Sequence, residues 1–254
     1  MNILVANDDG IKARGIHELV NALSEVATVY VCAPESQRSA SGHGITVLKP
    51  ITVEEVEFEN AAFALQISGT PADCVKIGKR MLEKKGIEID MVFSGINHGG
   101  NLGTDTLYSG TVSAAVEGAL LGVPSAAVSV NSHEAEHFEY ACELAVEAVK
   151  KAYGKMDAKT VLNINTPNLP KEEIKGLRFT TLGPREYVEV FVPVETEDGK
   201  TGYMYTGEPV FYDDLPETVD VVADQQGYAS ITPLHSDLTD YKLVKEISEW
   251  RIGK

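Results

Sequence analysis

The chain has 254 residues, of which 43% are hydrophobic and 24% are charged, which is enough for one large domain or one domain with an appendage. Its formal net charge of −16 argues against DNA, RNA or an anionic membrane surface as a partner, although a small phosphorylated ligand needs only a local positive field. The three cysteines are scattered without metal-type spacing, no basic leader region starts the chain, and no apolar run reaches transmembrane length. We therefore expect a cytoplasmic protein.

As far as residue 180, short apolar runs alternate with segments of helical periodicity. Residues 3–6 and 26–33 are apolar runs that predict buried strands, and residues 15–25 between them carry hydrophobic side chains at helical spacing. The same patterns predict strands over 89–93, 125–130 and 160–165, and helices over 71–84, 111–121 and 135–152. Two β-rich segments, 47–57 and 62–67, are expected to form an excursion from this alternation. The alternation predicts an α/β fold with a mainly parallel sheet and right-handed crossovers.

The segment from residue 181 to residue 254 has a different character. Residues 187–194 and 203–209 are β-rich and flank a turn, which predicts an antiparallel ribbon, and residues 228–232 predict a further strand. Residues 238–252 carry a narrow apolar stripe that predicts a terminal helix. A ribbon and one helix have little core of their own. We therefore expect residues 1–180 to form the catalytic domain and residues 181–254 an arm that packs on it or on a second subunit.

Asn7, Asp8, Asp9 and Gly10 close the first predicted strand. Adjacent side chains of a strand point to opposite faces, so two neighbouring aspartates cannot both face the core. Where Gly10 allows the backbone to turn, both carboxylates can approach one point, and they repel each other unless a cation lies between them. The same four residues are also typical of a solvated turn.

Two more polar loops, 38–46 and 94–111, are predicted at the carboxyl edge of the sheet, where open α/β sheets bind ligands. Besides the two aspartates, this edge offers hydroxyl and amide oxygens from Ser39, Ser41, Asn97 and Asn101. The histidines in these loops are single, and no cysteine accompanies them. Ligation by oxygen alone suits a hard divalent cation, Mg²⁺ or Mn²⁺, better than Zn²⁺ or Cu²⁺.

Ser109, Gly110 and Thr111 open a helix that is rich in small residues. The N-terminus of a helix presents unpaired N–H groups and about half a positive charge, so it is suited to bind phosphate. The alternative is plain capping, because a serine or threonine ahead of a helix often only caps it. A dinucleotide-binding interpretation of the glycines at 99–103 is weak, because the GxGxxG spacing is missing.

These loops belong to a longer series of motifs that follow one another in order along the chain. The motifs are Asn7-Asp8-Asp9-Gly10, Arg38-Ser39-Ala40-Ser41-Gly42-His43, Gly69-Thr70-Pro71-Ala72-Asp73-Cys74-Val75, Ser94-Gly95-Ile96-Asn97, Asn101-Leu102-Gly103, Tyr108-Ser109-Gly110-Thr111-Val112-Ser113-Ala114-Ala115, Gly227-Tyr228 and Ser230-Ile231-Thr232-Pro233-Leu234. In this combination the sequence resembles the survival protein SurE family of metal-dependent 5′-nucleotidases over essentially its whole length. The segment from 182 to 224 is variable in that family, so little is carried onto it.

The resemblance implies a Rossmann-like three-layer sandwich and a phosphatase that acts on nucleoside monophosphates. It also implies a C-terminal arm exchanged between subunits, which gives a homodimer or homotetramer. One divalent metal ion per subunit would be held by Asp8, Asp9, Ser39 and Asn97.

Our hypothesis from the sequence is the hydrolysis of a phosphate monoester by water, with the metal neutralising developing charge. We expect the catalytic residues to be Asp8, Asp9, Asn97 and Ser109. Contacts to phosphate or substrate are expected from Ser41, Gly42, His43, Asn101, Ser109, Gly110 and Thr111. The general base, the preferred base and sugar, and activity on 3′-nucleotides or polyphosphate stay open, with Asp8 as a covalent nucleophile a weaker variant. Two other hypotheses are a nucleotide-binding regulatory module without hydrolysis and a purely structural role for these turns.

Overall fold

The computed structural model of the chain describes residues 1–188, 191–250 and 252. Its centre is a nine-stranded sheet with the strand order β3-β4-β2-β1-β5-β6-β7-β13-β8. These strands are β1 (Asn2–Ala6), β2 (Thr28–Pro34), β3 (Val53–Glu55), β4 (Phe63–Ile67), β5 (Met91–His98), β6 (Ser125–Asn131), β7 (Thr160–Pro167), β8 (Leu177–Phe179) and β13 (Ala229–His235). From β4 to β7 all neighbouring strands are parallel, so the predicted mainly parallel sheet is confirmed.

Helices cover both faces of this sheet, as the alternation of side chains along β1 demonstrates. Ile3 and Val5 point into a core with α1 (Arg14–Ser24) and α4 (Glu139–Ala152). Leu4 and Ala6 point to the opposite face, where α2 (Pro71–Lys84) and α3 (Gly110–Leu120) pack. Because β1 is buried on both faces, its sequence is continuously apolar rather than alternating. The result is the three-layer α/β sandwich that was expected.

The strand order reverses between β1 and β5, because the chain moves from β1 towards β2 on one side and from β5 towards β6 on the other. A crevice forms at such a point beyond the carboxyl ends of the two strands, and ligands of open α/β sheets bind there. Asp8 and Asp9 follow β1, and Asn97 is the second-to-last residue of β5. The fold therefore brings the first and third polar loops to one place.

Several predicted elements need correction. Residues 62–67 are not an excursion, because β4 joins the main sheet parallel to β2 and buries Ala64, Leu65 and Ile67. Of residues 47–57 only β3 is a strand, which pairs antiparallel to β4 at the edge of the sheet. Helix α4 begins at Glu139 instead of residue 135. The helix α5 (Asp220–Gln225) and the 3-10 helix Gly103–Leu107 were not predicted, since six or fewer residues give no helical periodicity to detect.

The C-terminal segment divides between the sheet and the outside of the domain. Strand β13 pairs antiparallel with β7, and α5 packs beside it, so both belong to the central layers. The expected ribbon is present as β10 (Phe191–Glu195) paired with β11 (Thr201–Tyr205), and a second small pair joins β9 (Tyr187–Val188) to β12 (Glu208–Pro209). Helix α6 (Tyr241–Ile247) and a 3-10 turn (Ser248–Trp250) cover part of the predicted terminal helix. Residues 189, 190 and 251, which fall in the predicted ribbon and terminal helix, lie outside the described residues.

Candidate functional site

Asp8 is a buried carboxylate at the end of β1 that contacts the first turn of α3. Its Oδ1 accepts a hydrogen bond of 2.5 Å from Thr111 Oγ1. The pKa of Asp8 is raised to about 6, chiefly by burial and also by the neighbouring charge of Asp9, while the hydroxyl and backbone amide of Thr111 oppose this rise. An ionised Asp8 in this place gains much from a cation, because the protein compensates its burial only in part.

Asp9 lies next to Asp8 and is held by two other segments. Its Oδ1 accepts a hydrogen bond of 3.2 Å from Gln37 Nε2, and its Oδ2 accepts one of 3.1 Å from the backbone amide of His98. The neighbour of that amide, Asn97, donates from Nδ2 to the carbonyl oxygen of Gly99 at 2.7 Å. Since its amide nitrogen is engaged, Asn97 has its side-chain oxygen left for a ligand.

The second polar loop reaches the same crevice through its backbone. The backbone amide of Arg38 donates to the carbonyl oxygen of Asp8 at 2.7 Å. The backbone amide of Gly42 donates to the carbonyl oxygen of Tyr108 at 3.0 Å. Ser41 Oγ is buried and has no hydrogen-bond partner among the described residues, whereas Ser39 is exposed at the tip of the loop. The loop therefore brings Ser41 into the crevice, and Ser39 lies beside it facing solvent.

The N-terminus of α3 forms the floor of the crevice. A Cβ atom on Gly110 would lie 2.9 Å from Asp8 Cβ, Asp8 Oδ2 and Ser41 Oγ, so only glycine leaves room there. Ser109 caps the helix, because its Oγ accepts a hydrogen bond of 3.0 Å from the amide of Val112. The Ser109 hydroxyl thus caps the helix, as the alternative interpretation expected. The absence of a side chain at Gly110 leaves a space bordered by the Asp8 carboxylate and the Ser41 hydroxyl.

Asn101 is fixed by a buried cluster of polar side chains. Its backbone amide donates to Asn165 Oδ1 at 2.8 Å, and its carbonyl oxygen accepts from Asn163 Nδ2 at 2.8 Å and from Asn165 Nδ2 at 3.1 Å. Its own Nδ2 donates to Ser129 Oγ at 2.8 Å. These partners were not predicted, although two asparagines at alternate positions of an otherwise apolar strand are a signal of a buried polar cluster.

His43, predicted as a phosphate or substrate contact, makes a different interaction. Its Nε2 lies 2.8 Å from Oε2 of Glu117, a carboxylate on α3 whose side chain is 5% exposed. Lys76 Nζ donates to the other oxygen of that carboxylate at 2.7 Å. Glu117 and Lys76 were not predicted to belong to the site, since neither lies in a recognisable motif.

The donor set of this crevice fits a hard divalent cation. Two adjacent carboxylates, an amide oxygen and hydroxyl groups are its ligand atoms, and among the described residues no group of three or more His, Cys, Asp or Glu side chains comes together. Two polar atoms beside the carboxylates, Ser41 Oγ and Asn7 Oδ1, are buried without a partner in the described chain. Buried polar atoms in proteins are normally satisfied, so these two are available to a ligand or to its water.

Comparisons with known proteins identify the family of the chain. The family model described as "Survival protein SurE" matches residues 3–189. A protein from Syntrophomonas wolfei named "5′-nucleotidase SurE" is 47% identical over 97% of this chain and 93% of its own length. A protein of the same name from Heliobacterium modesticaldum is 45% identical over 100% of this chain and 93% of its own length.

A solved structure has the same fold over nearly its whole length. The crystal structure of the SurE protein from Aquifex aeolicus superposes with a TM-score of 0.84 at 40% identity, and the match covers 98% of this chain and 99% of that one. The resemblance inferred from the order of the motifs is thereby confirmed. The chain belongs to the survival protein SurE family.

Proposed function

We propose that this protein is a metal-dependent 5′-nucleotidase that hydrolyses nucleoside 5′-monophosphates to nucleoside and inorganic phosphate. The observation that carries the proposal is the meeting of Asp8 with the N-terminus of α3 at the point where the strand order reverses. A carboxylate suited to a cation and a helix terminus suited to a phosphate lie in direct contact there. The names of the relatives supply the nucleoside part of the proposal.

One ion of Mg²⁺ or Mn²⁺ per subunit would be held by Asp8, Asp9, Ser39 and Asn97, and when bound it supplies a Lewis acid that neutralises charge on the transferring phosphoryl group. Asp8 is oriented for this by Thr111, which binds Oδ1 and leaves Oδ2 towards Gly110. Asp9 is oriented by its hydrogen bonds from two separate loops. Fixed carboxylates of this kind need no rearrangement when the substrate arrives.

The phosphate oxygens would be bound by hydroxyl and amide groups around the start of α3. Ser41 Oγ and the amide of Gly110 border the space beside Asp8, and Asn101 follows on the same edge of the sheet. Ser109 and Thr111 would complete this set. Thr111 would also act indirectly, because its hydroxyl orients Asp8. A water molecule would attack the phosphorus in line with the leaving 5′-oxygen, and one of the two aspartates would accept its proton. As the bond from phosphorus to the 5′-oxygen breaks, that oxygen takes up a proton and leaves as the 5′-hydroxyl of the nucleoside.

The arm is proposed to join subunits into a dimer or tetramer. Large apolar side chains of the ribbon and the terminal segment are exposed, including Tyr203 at 68%, Leu238 at 85% and Trp250 at 58%. Patches of this kind mark protein interfaces in soluble proteins. Sedimentation velocity of the full chain at micromolar concentration tests this proposal, and a single monomeric species would contradict it.

The proposed location is the cytoplasm, in keeping with the three free cysteines Cys32, Cys74 and Cys142. In the part of the chain that the structure describes, no helix combines the length and the hydropathy needed to cross a bilayer.

The proposal is tested by comparing adenosine 5′-monophosphate with adenosine 3′-monophosphate as substrates in the presence of Mn²⁺. We expect faster release of inorganic phosphate from the 5′-nucleotide. Equal and negligible release from both, with protein that is folded by circular dichroism, would contradict the proposal and favour the regulatory alternative.

A further inference from the structure

The loop of residues 39–46 carries Ser39 and Ser41, yet few bonds hold it to the rest of the domain. The backbone amide of Gly42 donates to the carbonyl oxygen of Tyr108, and the amide of Thr46 donates to the carboxylate of Asp73 at 3.1 and 3.2 Å. Among the described residues, one other hydrogen bond joins this loop to another segment, and it links the His43 imidazole to Glu117. His43 is therefore the side chain that ties the loop to the domain.

Glu117 is a well-fixed partner for His43. Its carboxylate is buried against α2, where Lys76 Nζ also donates to it at 2.7 Å. The hydrogen bond from His43 lowers the pKa of Glu117 against the opposing effect of burial, and Lys76 lowers it further. An ionised carboxylate is costly to bury without partners, so the protein strongly favours the geometry in which both donors reach it.

The same helix carries both Glu117 and the proposed phosphate site. Gly110 and Glu117 are both in α3, which runs from Gly110 to Leu120. Seven residues of helix make about two turns and about 10 Å, so the two positions lie on nearly the same side of α3. A bond at Glu117 thus fixes the loop relative to the helix end that Ser41 contacts.

We propose that His43 is a positioning residue whose hydrogen bond to Glu117 holds the loop that carries Ser39 and keeps Ser41 beside Asp8 and the N-terminus of α3. This inference rests on the proposed function for the roles of Ser39 and Ser41. It assigns His43 a role in ordering the loop in place of a contact with phosphate. It also assigns a functional role to Glu117, which lies outside the recognisable motifs.

Three variants separate this role from its alternatives. His43→Ala removes the bond, whereas His43→Gln places an amide nitrogen near the position of Nε2 and can restore it. Lys76→Gln is the matched control, because it changes the other partner of the same carboxylate without altering the loop. His43→Ala removes one of the two donors of the buried Glu117, so we expect a modestly lower melting temperature for it and values close to the wild type for the two variants that keep a donor.

Two measurements report on the loop without turnover. Hydrogen exchange of peptides that cover residues 38–46 should be faster in His43→Ala than in the wild type, and normal in His43→Gln and Lys76→Gln. Calorimetric titration with Mn²⁺ should give a Kd raised about tenfold in His43→Ala only, the lower end of the range known for residues that support metal ligands. In turnover of adenosine 5′-monophosphate, KM should rise in His43→Ala more than kcat falls, because Ser41 is then less well placed to bind the phosphate.

The inference is overturned if exchange in residues 38–46 is unchanged in His43→Ala, or if His43→Gln is as impaired as His43→Ala. The second result would mean that the imidazole itself contacts the ligand. Failure of the proposed function looks different, because the wild type itself would then release no phosphate while the exchange of the loop could still respond to His43→Ala.

Discussion

Thr111 Oγ1 donates a hydrogen bond of 2.5 Å to Asp8 Oδ1, which joins the end of β1 to the first turn of α3 across 103 positions of sequence. The carboxylate proposed to bind the cation is thus oriented by the helix proposed to bind the phosphate. This bond also opposes the rise in the pKa of Asp8 that burial causes. In the proposed site, metal binding and phosphate binding would therefore depend on the same few atoms.

Removal of this hydroxyl should impair catalysis more than folding. Thr111→Val keeps the shape of the fully buried side chain but loses a bond to a charged group, worth about 1.5–3 kcal/mol. We expect turnover of adenosine 5′-monophosphate to fall by about tenfold or more and the pKa of Asp8 to rise further. Thr111→Ser, which keeps the hydroxyl, should retain most of the activity, and equal activity of Thr111→Val and the wild type would contradict this role.

Loss of the second carboxylate should remove most of the turnover and weaken metal binding. Asp9→Asn keeps an acceptor for only one of its two donors, Gln37 Nε2 and the amide of His98, and removes one negative charge next to Asp8. We expect turnover to fall by more than about hundredfold, beyond the range for residues that only support ligands, and the calorimetric response to Mn²⁺ to weaken. Asp214→Asn changes an exposed acidic residue and serves as the control. Turnover of Asp9→Asn close to that of Asp214→Asn would refute the assignment of Asp9.

The stability of the metal-free protein should depend on pH through two buried aspartates. Burial raises the pKa of both Asp8 and Asp224 to about 6, above the usual value in an unfolded chain. The folded state then binds more protons between about pH 4 and pH 6, so stability falls as the pH rises through that window, by about 3 kcal/mol for each group. Urea unfolding at pH 5 and pH 7.5 measures the upper half of this change, about 1.4 kcal/mol for each group, which Asp8→Asn and Asp224→Asn should each reduce.

Added Mn²⁺ distinguishes the two groups. A cation at the site favours ionised Asp8, so it should raise stability at pH 7.5 in the wild type and in Asp224→Asn, but little in Asp8→Asn. Asp224 accepts a hydrogen bond from Asn131 and is proposed to have no contact with the metal. A response to Mn²⁺ that is the same in both variants would contradict the location of the site.

The asparagines of β7 should contribute to stability in proportion to their bonds with Asn101. Asn165 satisfies both the backbone amide and the carbonyl oxygen of Asn101, whereas Asn163 donates only to the carbonyl. Leaving a buried backbone group unsatisfied costs about 1–3 kcal/mol, so we expect Asn165→Leu to lower the free energy of unfolding more than Asn163→Leu. Denaturant unfolding of the two variants gives the comparison, and the reverse order would show that the cluster is held in another way.

Much of the fold followed from local patterns. The apolar runs of β1 and β2 and the helical spacing of α1 between them predict a parallel βαβ unit. The structure contains this unit, with β1 paired parallel to β2. The place of β13 could not be predicted, because a short alternating strand does not specify which neighbour it joins or in which direction. Helix α5 was missed because its six residues are too few to show a period.

The part of the proposed site that could be predicted is encoded in neighbouring residues. Asp8 and Asp9 are adjacent in sequence and repel each other unless a cation lies between them, although a solvated turn has the same residues. The bond of His43 to Glu117 joins positions 74 residues apart, and that of Asn101 to Asn165 joins positions 64 residues apart. Such pairs depend on how helices and strands pack, which no local pattern encodes. Long-range support of the site therefore became visible only in the structure.

The central claim is tested most directly by release of inorganic phosphate from adenosine 5′-monophosphate by metal-stripped protein, before and after Mn²⁺ or Mg²⁺ is restored. The account predicts negligible release without metal, release when either ion is added in excess, and loss again with chelator. Release that is the same with and without metal would contradict a metal site at Asp8 and Asp9. No release in any condition from folded protein would contradict the proposed hydrolysis itself.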